Sequence, residues 1–302
     1  MQNCKSCSPS NCTMAIVHVV FNPTSGSYSS RKAEQILTQL RAVGLDPQPL
    51  LPQTLTESMQ AVAALCNQAT APTIIAVGGD GTVNTVINSM PQGSATLGII
   101  PLGTANVMAR ELGIRSQQDA IERISRGTVR PFTVGEASST AGTRRFVLMA
   151  GIGADAAAVA DVRSSEKRLL GKGAYVLAGL RRCLDWDSRL ITVSCGGHTR
   201  RCNSLIIANA AHYAGPYRLV PQAGLFNPQL MVAPLPFSGP LGMLRFTAAL
   251  FLRGSYAASD AFASGGDTIS ITGDKPVQLD GDSFGTAPLT IRLIPDFNNL
   301  IV

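Results

Sequence analysis

The sequence predicts an α/β protein of two domains, a Rossmann-like parallel-sheet domain followed by a mainly β, sandwich-like one, and three observations carry that reading. Short β-branched runs alternate with helical patterns through the first half, as they do when crossover helices connect parallel strands. Glycines Gly78, Gly79 and Gly81 break an apolar run where a strand would give way to a helix. After Gly127 the pattern changes to closely spaced strands. The 302 residues suit two compact domains. They divide into a disordered start over 1–13, an α/β domain over 14–134 and a β-rich domain over 135–302 whose last residues return to the first. With 45% apolar and 15% charged residues, the chain falls among globular proteins and away from disordered or fibrous classes.

Taken in order, the first strand is Ile16 to Phe21, and a helix from about Ser30 repeats Ile36, Leu37, Leu40 and Val43 at helical spacing until Gly44. Leu45 to Leu51 reads as a proline-interrupted strand, and a helix from Thr56 sets Met59, Val62, Ala63 and Cys66 on one face. Thr73 to Val77 is a continuous apolar run, hence a buried strand. Val83 to Met90 is the next helix, Thr96 to Ile100 a strand, and Ala105 to Leu112 a short helix. Strands follow at Val129 to Ala137, Arg145 to Ala150, Arg189 to Ser194, Ser204 to Asn209, Gln229 to Ala233, Asp267 to Thr272 and Leu289 to Ile294. Helical patterns interrupt them from Ser165 to Cys183 and from Leu241 to Leu252. No low-complexity linker separates the halves, which predicts a packed pair of domains with a ligand cleft between them.

No window has the uninterrupted apolar length of a membrane span, and the N-terminus lacks the apolar core of a signal peptide, which predicts a cytoplasmic protein. The seven scattered cysteines then read as thiols, and Cys4, Cys7 and Cys12 lack the second ligand pair of a zinc site. A net charge of +6 favours anionic partners. The arginines are dispersed, without an aromatic stacking surface or a DNA-reading element, so nucleic acid is not expected among them. His18, His198 and His212 are isolated and form no metal or triad pattern.

The glycines after Val77 have a physical purpose. Without Cβ atoms the backbone turns sharply and approaches a ligand closely, so that N–H groups and the positive end of the following helix face phosphate oxygens. Thr82 is placed to cap that helix and offer a hydroxyl, and Asp80 to hold the turn or engage a magnesium ion carried with ATP. This is not a Walker A loop, since no GxxxxGK[ST] occurs.

Gly78-Gly79-Asp80-Gly81-Thr82-Val83-Asn84 resembles the signature of the diacylglycerol kinase catalytic family, which includes bacterial lipid kinases and sphingoid-base kinases. Asn22-Pro23-Thr24-Ser25-Gly26 resembles its first nucleotide loop, and Pro101-Leu102-Gly103-Thr104-Ala105-Asn106, leading into Ala109 to Gly113, resembles its third. Gly153 to Ala156, Gly171 to Tyr175 and Val277 to Asp282 look like later blocks, so the resemblance spans about residues 16 to 294. It implies an ATP- and Mg2+-dependent kinase that phosphorylates the hydroxyl of a diacylglycerol-like or related lipid. Asn22, Thr104 and Asn106 would add hydrogen bonds to the nucleotide, and Thr54 matches a position that touches it more loosely. Two other readings compete: an NAD kinase, whose family shares the GGDGT turn, and a lipid- or nucleotide-binding homologue without turnover.

Asp280 and Asp282 are the candidates for the base that takes the hydroxyl proton; in an extended chain both carboxylates face one side. Read without the resemblance, Asp280-Gly281 is a hairpin signal with solvated carboxylates. Asp282 stands where the family has Glu, Val107 where many relatives have Asp, and Asn227-Pro228 where the family has an Asp-Gly that helps hold a structural metal. Neutral Asn227 argues against that metal. Lys167, Arg168, Lys172, Arg181 and Arg182 share a helical pattern with Leu169, Leu170, Val176, Leu177 and Leu180. That pattern suits either a core-packed helix or peripheral contact with the inner face of a membrane, where the lipid substrate would be met. The oligomeric state is left open, with a homodimer as one candidate.

Overall fold

The computed structural model describes residues 14–161, 186–235, 239–255, 260–265 and 268–302. The first thirteen residues and the basic helical pattern from Ser165 to Cys183, with the Gly171 to Tyr175 block, lie outside the described residues.

The first domain alternates β1 (Ala15–Phe21), α1 (Ser30–Ala42), β2 (Leu45–Leu50), α2 (Leu55–Cys66), β3 (Thr73–Gly78), α3 (Asp80–Ser89), β4 (Thr96–Pro101), α4 (Val107–Glu111) and α5 (Gln117–Arg126). Its strands pair in parallel in the order β2-β1-β3-β4. β3 lies in the middle, and Ile74, Ile75, Ala76 and Val77 are each at most 1% exposed because helices cover both faces. β2 takes the edge, where Pro47 and Pro49 cost no ladder bond on the open side.

Two sequence expectations need correction here. The buried face of α2 is Ser58, Val62 and Cys66, while Met59 is 39% exposed. α5 was not expected at all, although Ser116 caps its start, Gly127 closes it in the left-handed region, and Ala120, Ile121 and Ile124 are buried at helical spacing.

The second domain is built from β5 (Val129–Ser139), β6 (Gly142–Phe146), β7 (Met149–Ile152), α6 (Ala154–Asp161), β8 (Ile191–Cys195), β9 (His198–Cys202), β10 (Leu205–Ala208), β11 (His212–Tyr213), β12 (Tyr217–Arg218) and β13 (Met231–Pro234). It continues with α7 (Pro240–Arg253), β14 (Phe262–Ala263), β15 (Ile269–Thr272), β16 (Pro276–Leu279), β17 (Asp282–Thr286) and β18 (Leu289–Ile301). One sheet runs β14-β13-β10-β7-β16-β17; β5, β6, β8, β9, β15 and β18 continue the first domain's parallel sheet into one of ten strands. Ile152, Leu205, Ile207, Val232 and Leu279 of the first sheet share one apolar core with Phe146, Ile191, Val193, Ile271 and Ile291 of the second, which makes a sandwich. The fold is thus an α/β parallel-sheet domain followed by a mainly β, sandwich-like domain.

β18 binds the two parts together. Its first half pairs with β15, and its last residues pair in parallel with β4, Asn299 opposite Thr96 and Leu300 opposite Leu97. The sequence pattern stops at Ile294 because Pro295 cannot donate; the strand resumes past an irregularity between Ile294 and Asn298. Phe297, fully buried, meets Phe132 edge-to-face at 5.8 Å inside the first domain's core. Phe297→Ala is expected to lower unfolding free energy by about 3–5 kcal/mol, read from chemical denaturation. A loss under 1 kcal/mol would show that β18 does not hold the domains together.

The expected strand from Arg145 to Ala150 is two strands in different sheets, β6 and β7, broken at Val147 and Leu148. Buried Asn209 fixes the break: its Nδ2 donates to the carbonyls of Thr133 (2.9 Å) and Val147 (2.8 Å), and its Oδ1 accepts from the Thr133 hydroxyl (2.8 Å). Cys66, Cys195 and Cys202 are buried thiols, and burial pushes the Cys202 thiol up to about 11. Among the described residues no helix is long and apolar enough to cross a membrane.

Candidate functional site

β3 ends at Gly78 and α3 begins at Asp80, so the glycine motif is itself the first helical turn, three residues earlier than the sequence pattern places the helix. Gly78 has no room for a side chain: a Cβ there would lie 2.3 Å from Thr82 Oγ1 and 2.6 Å from Thr82 Cβ. Thr82 therefore packs over Gly78 and is not the cap. Gly79 is the N-cap and offers no side-chain acceptor. Its carbonyl takes the N–H groups of Thr82 and Val83 at 3.0 and 3.2 Å. Among the described residues the N–H groups of Gly79, Asp80 and Gly81 find no acceptor, at the positive end of the helix. Gly81 is exposed, and a Cβ on it would meet nothing within 4 Å.

The loops after β1 and β4 flank this turn because β1, β3 and β4 are neighbours in the sheet. After β1, Asn22 Oδ1 accepts from the N–H (3.2 Å) and hydroxyl (2.8 Å) of Thr24, and the Asn22 carbonyl accepts from Ser25 N–H. Pro23 and Ser25 are half-buried and Gly26 is exposed. After β4, Asn106 sits in the left-handed region with φ 47° and closes the loop on Gly103, accepting from its N–H at 2.9 Å and donating to its carbonyl at 2.7 Å. A Cβ on Gly103 would stand 2.5 Å from Gly79 Cα, so the two loops touch backbone to backbone. Asp80 joins them too: Oδ1 accepts from Met108 N–H at 3.0 Å, while Oδ2 has no hydrogen bond among the described residues.

These placements change what each candidate can do. Thr104 is exposed, with its hydroxyl unused by the protein among the described residues. Asn106 and Asn22 hold their own loops. The Thr54 hydroxyl caps α2, accepting from Glu57 N–H at 3.1 Å. Val83 leaves the candidate set, since at 2% exposure its side chain belongs to the core. Asn84 is 3% exposed and looks across to the second domain.

There it meets Asp280. Leu279 pairs with Asp282, and the two loop residues Asp280 and Gly281 have φ of 51° and 90°, the signs of a type I′ hairpin. The extended geometry that would put both carboxylates on one side does not occur. Asp280 turns inward: Oδ1 accepts from the N–H groups of Leu148 (2.8 Å) and Met149 (2.9 Å), and Oδ2 from Val147 N–H (2.7 Å) and Asn84 Nδ2 (2.7 Å). The break between β6 and β7 frees those three backbone donors. Burial pushes the Asp280 carboxyl up to about 6, against the pull of its four donors.

Asp282 turns outward and is exposed, 2.8 Å from Arg144 Nη2, which also donates to Asn84 Oδ1 at 3.1 Å. A chain Asp282–Arg144–Asn84–Asp280 thereby orients the Asn84 amide. Asn88, one turn on, donates to Asn84 Oδ1 (3.0 Å) and accepts from Arg145 N–H (2.9 Å). On the other side, Gln278 accepts from Gly281 N–H at 2.6 Å and donates to Asp155 at 2.7 Å, and Tyr213 donates to the same carboxyl, which burial holds above the ordinary range. Sequence reasoning did not single out Arg144, Asn88, Asn209 or Gln278. One available signal was Asn84 and Asn88 at i and i+4, on the side of the helix that also carries Asp80, Gly81 and Thr85.

The donor set also bears on metals. Asp280 has no lone pair to spare and Asp282 is held by an arginine, so Asp80 Oδ2 is the side-chain oxygen that fits an ion carried by phosphates. Mg2+ asks for little more than one carboxylate plus phosphates and water. Asn227 donates to the carbonyl of Gln222 at 3.2 Å, an amide contact. Among the described residues no group of three His, Cys, Asp or Glu side chains converges on a metal position.

The family description "Diacylglycerol kinase catalytic domain" matches residues 16–137, and "YegS C-terminal NAD kinase beta sandwich-like domain" matches residues 147–302. The chain belongs to the family that joins a diacylglycerol kinase catalytic domain to this C-terminal domain. A family member named "Diacylglycerol kinase", from Bacillus subtilis, is 33% identical over 172 residues, which spans 55% of each chain, so the match covers about half of that relative's length. Another, "Probable lipid kinase YegS-like" from Pseudomonas aeruginosa, is 27% identical over 73% of this chain and 76% of its own. A crystal structure of a diacylglycerol kinase from Bacillus anthracis superposes with a TM-score of 0.75 over 95% of this chain and 96% of its own at 22% identity. An NAD kinase from Archaeoglobus fulgidus in complex with ATP reaches 0.52 at 14% identity over 95% of this chain and 93% of its own. At those identities the two superpositions show a shared fold.

Proposed function

We propose that this chain transfers the γ-phosphate of ATP to the hydroxyl of a diacylglycerol-like lipid. One observation carries the proposal: the carboxylate of Asp280, from the sandwich domain, is hydrogen-bonded to Asn84 on the helix whose first turn presents three N–H groups without an acceptor among the described residues. Phosphoryl transfer needs phosphate held, charge neutralised and an acceptor proton removed, and these two features supply the first and last.

The N–H groups of Gly79, Asp80 and Gly81 grip phosphate oxygens, helped by the exposed hydroxyl of Thr104. Mg2+, when bound, would neutralise phosphate charge, with Asp80 Oδ2 as its protein ligand. Asp280 is ionised at neutral pH and takes the acceptor proton on Oδ2 when the Asn84 amide, the one donor there that is a side chain, gives way. Arg144, held by Asp282, stays on the amide oxygen of Asn84 and so limits how far that side chain moves from Asp280.

Labelled ATP offered with diacylglycerol in mixed micelles, and separately with NAD, tests this. Label in the lipid is the expected outcome; label in NAD alone would overturn it. Gly81→Ala sharpens the test. The protein leaves that position empty, so folding stability should be unchanged while the new methyl obstructs phosphate approach. A rise in the nucleotide Kd of about tenfold or more is expected by calorimetry. Unchanged affinity would place the phosphates elsewhere.

A further inference from the structure

We propose that the outward face of α7 is a docking surface for an anionic lipid bilayer. The helix packs Met243 with Met231 and Leu235, on β13 and the residue after it, and buries Leu250 as well. That accounts for one side. Its other side carries Leu241, Leu244, Ala248 and Leu252 at intervals of three and four residues, so they share one stripe. Leu241 is 60%, Leu244 45% and Leu252 86% exposed. A run of large apolar side chains along one exposed face marks an interaction site, where single exposed leucines would mark nothing.

Charge identifies the occupant. α7 contains no Asp or Glu; Arg245 borders the stripe and Arg253 ends it. Arg218 on β12 joins them, because its N–H donates to the carbonyl of Gly254 at 3.0 Å. None of the three arginines makes an ion pair among the described residues. Leucines flanked by unpaired arginines match the boundary between acyl chains and anionic headgroups. The same helix face of a second copy would bring the same arginines and no carboxylate of its own helix to meet them.

The position also suits the reaction, and in this respect the inference rests on the lipid-kinase reading. β12 and β11 form a hairpin whose Pro216 and His212 line a cavity of about 560 Å3; Pro101, Asn106 and Arg110 of the third loop and α4 line the same cavity. Docking α7 therefore brings to the bilayer a hairpin that shares a cavity with a phosphate-site loop.

The full chain, without nucleotide, is to be sedimented with vesicles of equimolar phosphatidylglycerol and phosphatidylcholine, and with phosphatidylcholine alone. Binding to the anionic vesicles and little to the neutral ones is expected. The double variant Leu244→Glu, Leu252→Glu should bind the anionic vesicles about tenfold more weakly or worse, with its thermal unfolding unchanged, since both side chains already face water. Wild type that stays in the supernatant, a variant that binds as wild type does, or a variant that loses a dimer and keeps its vesicles would each overturn the proposal. Vesicle binding lost in the variant, with no phosphate transfer to diacylglycerol by wild type, leaves docking standing and removes the kinase reading. Transfer to micellar diacylglycerol by a chain that ignores vesicles does the reverse.

Discussion

Asp280→Asn is expected to lower the rate of lipid phosphorylation by roughly 10²–10⁴-fold, the usual worth of a positioned general base. The substitution preserves shape and removes the negative charge. It also reverses one end of the group: if Oδ1 continues to accept from Leu148 and Met149, the new NH2 faces the Val147 N–H and the Asn84 Nδ2, donor against donor. Each abandoned donor costs roughly 1–3 kcal/mol, offset in part because a buried charge has gone, so melting temperature and rate must be read together. The decisive readout is the pH profile. With its carboxyl raised to about 6, Asp280 is charged above that pH and protonated below it. Wild-type kcat/KM should therefore be flat above neutrality and fall as pH drops through about 6. That limb should vanish from the residual activity of the variant. If it persists, the base lies elsewhere. The stability contribution runs in the opposite direction: protonation favours the folded state, fully so below the ordinary carboxylate range, and that contribution is lost as pH rises through about 6.

Gly103→Ala is expected to be among the most damaging single methyls in the first domain. The added carbon would sit 2.5 Å from Gly79 Cα and 3.2 Å from Gly79 N, with Asn106 Oδ1 at 2.8 Å. Two of these neighbours are backbone and cannot rotate away, so the third loop must withdraw from the glycine turn. Overpacking of this kind costs about 1–3 kcal/mol. The larger effect should fall on the site: Asp80 is tethered to Met108 just beyond the displaced loop, and the N–H groups beside it would lose their alignment. We expect nucleotide affinity to fall by about a hundredfold by calorimetry. A loss comparable to that of Gly81→Ala would mean that the third loop does not shape the phosphate site.

Much of this protein was legible beforehand because the signals were local. β3 is a run of Ile and Val that must be buried on both faces, and glycines after it can only be a turn. The Asn22, Gly78 and Pro101 segments each follow a strand, and parallel neighbours bring strand ends together without any knowledge of side-chain contacts. Direction was not legible: Asp282 turns outward, Val83 into the core and Thr82 over Gly78, whereas periodicity says which residues lie near a turn and not which way each side chain points. α5 was overlooked although its caps were written in the sequence, and β18 was cut short at Pro295, a residue that only an irregular ladder accommodates.

The sequence alone determined the alternation of strands and helices through β4, the parallel sheet, and a glycine-rich junction after β3, since each depends on residues within a few positions of one another. Tertiary structure decided the chemistry of Asp280. Its partners, Asn84 and the broken strand at Val147 to Met149, lie more than a hundred residues away. Only folding can take a carboxylate out of water, surround it with four N–H donors, and leave its charge to be governed by burial.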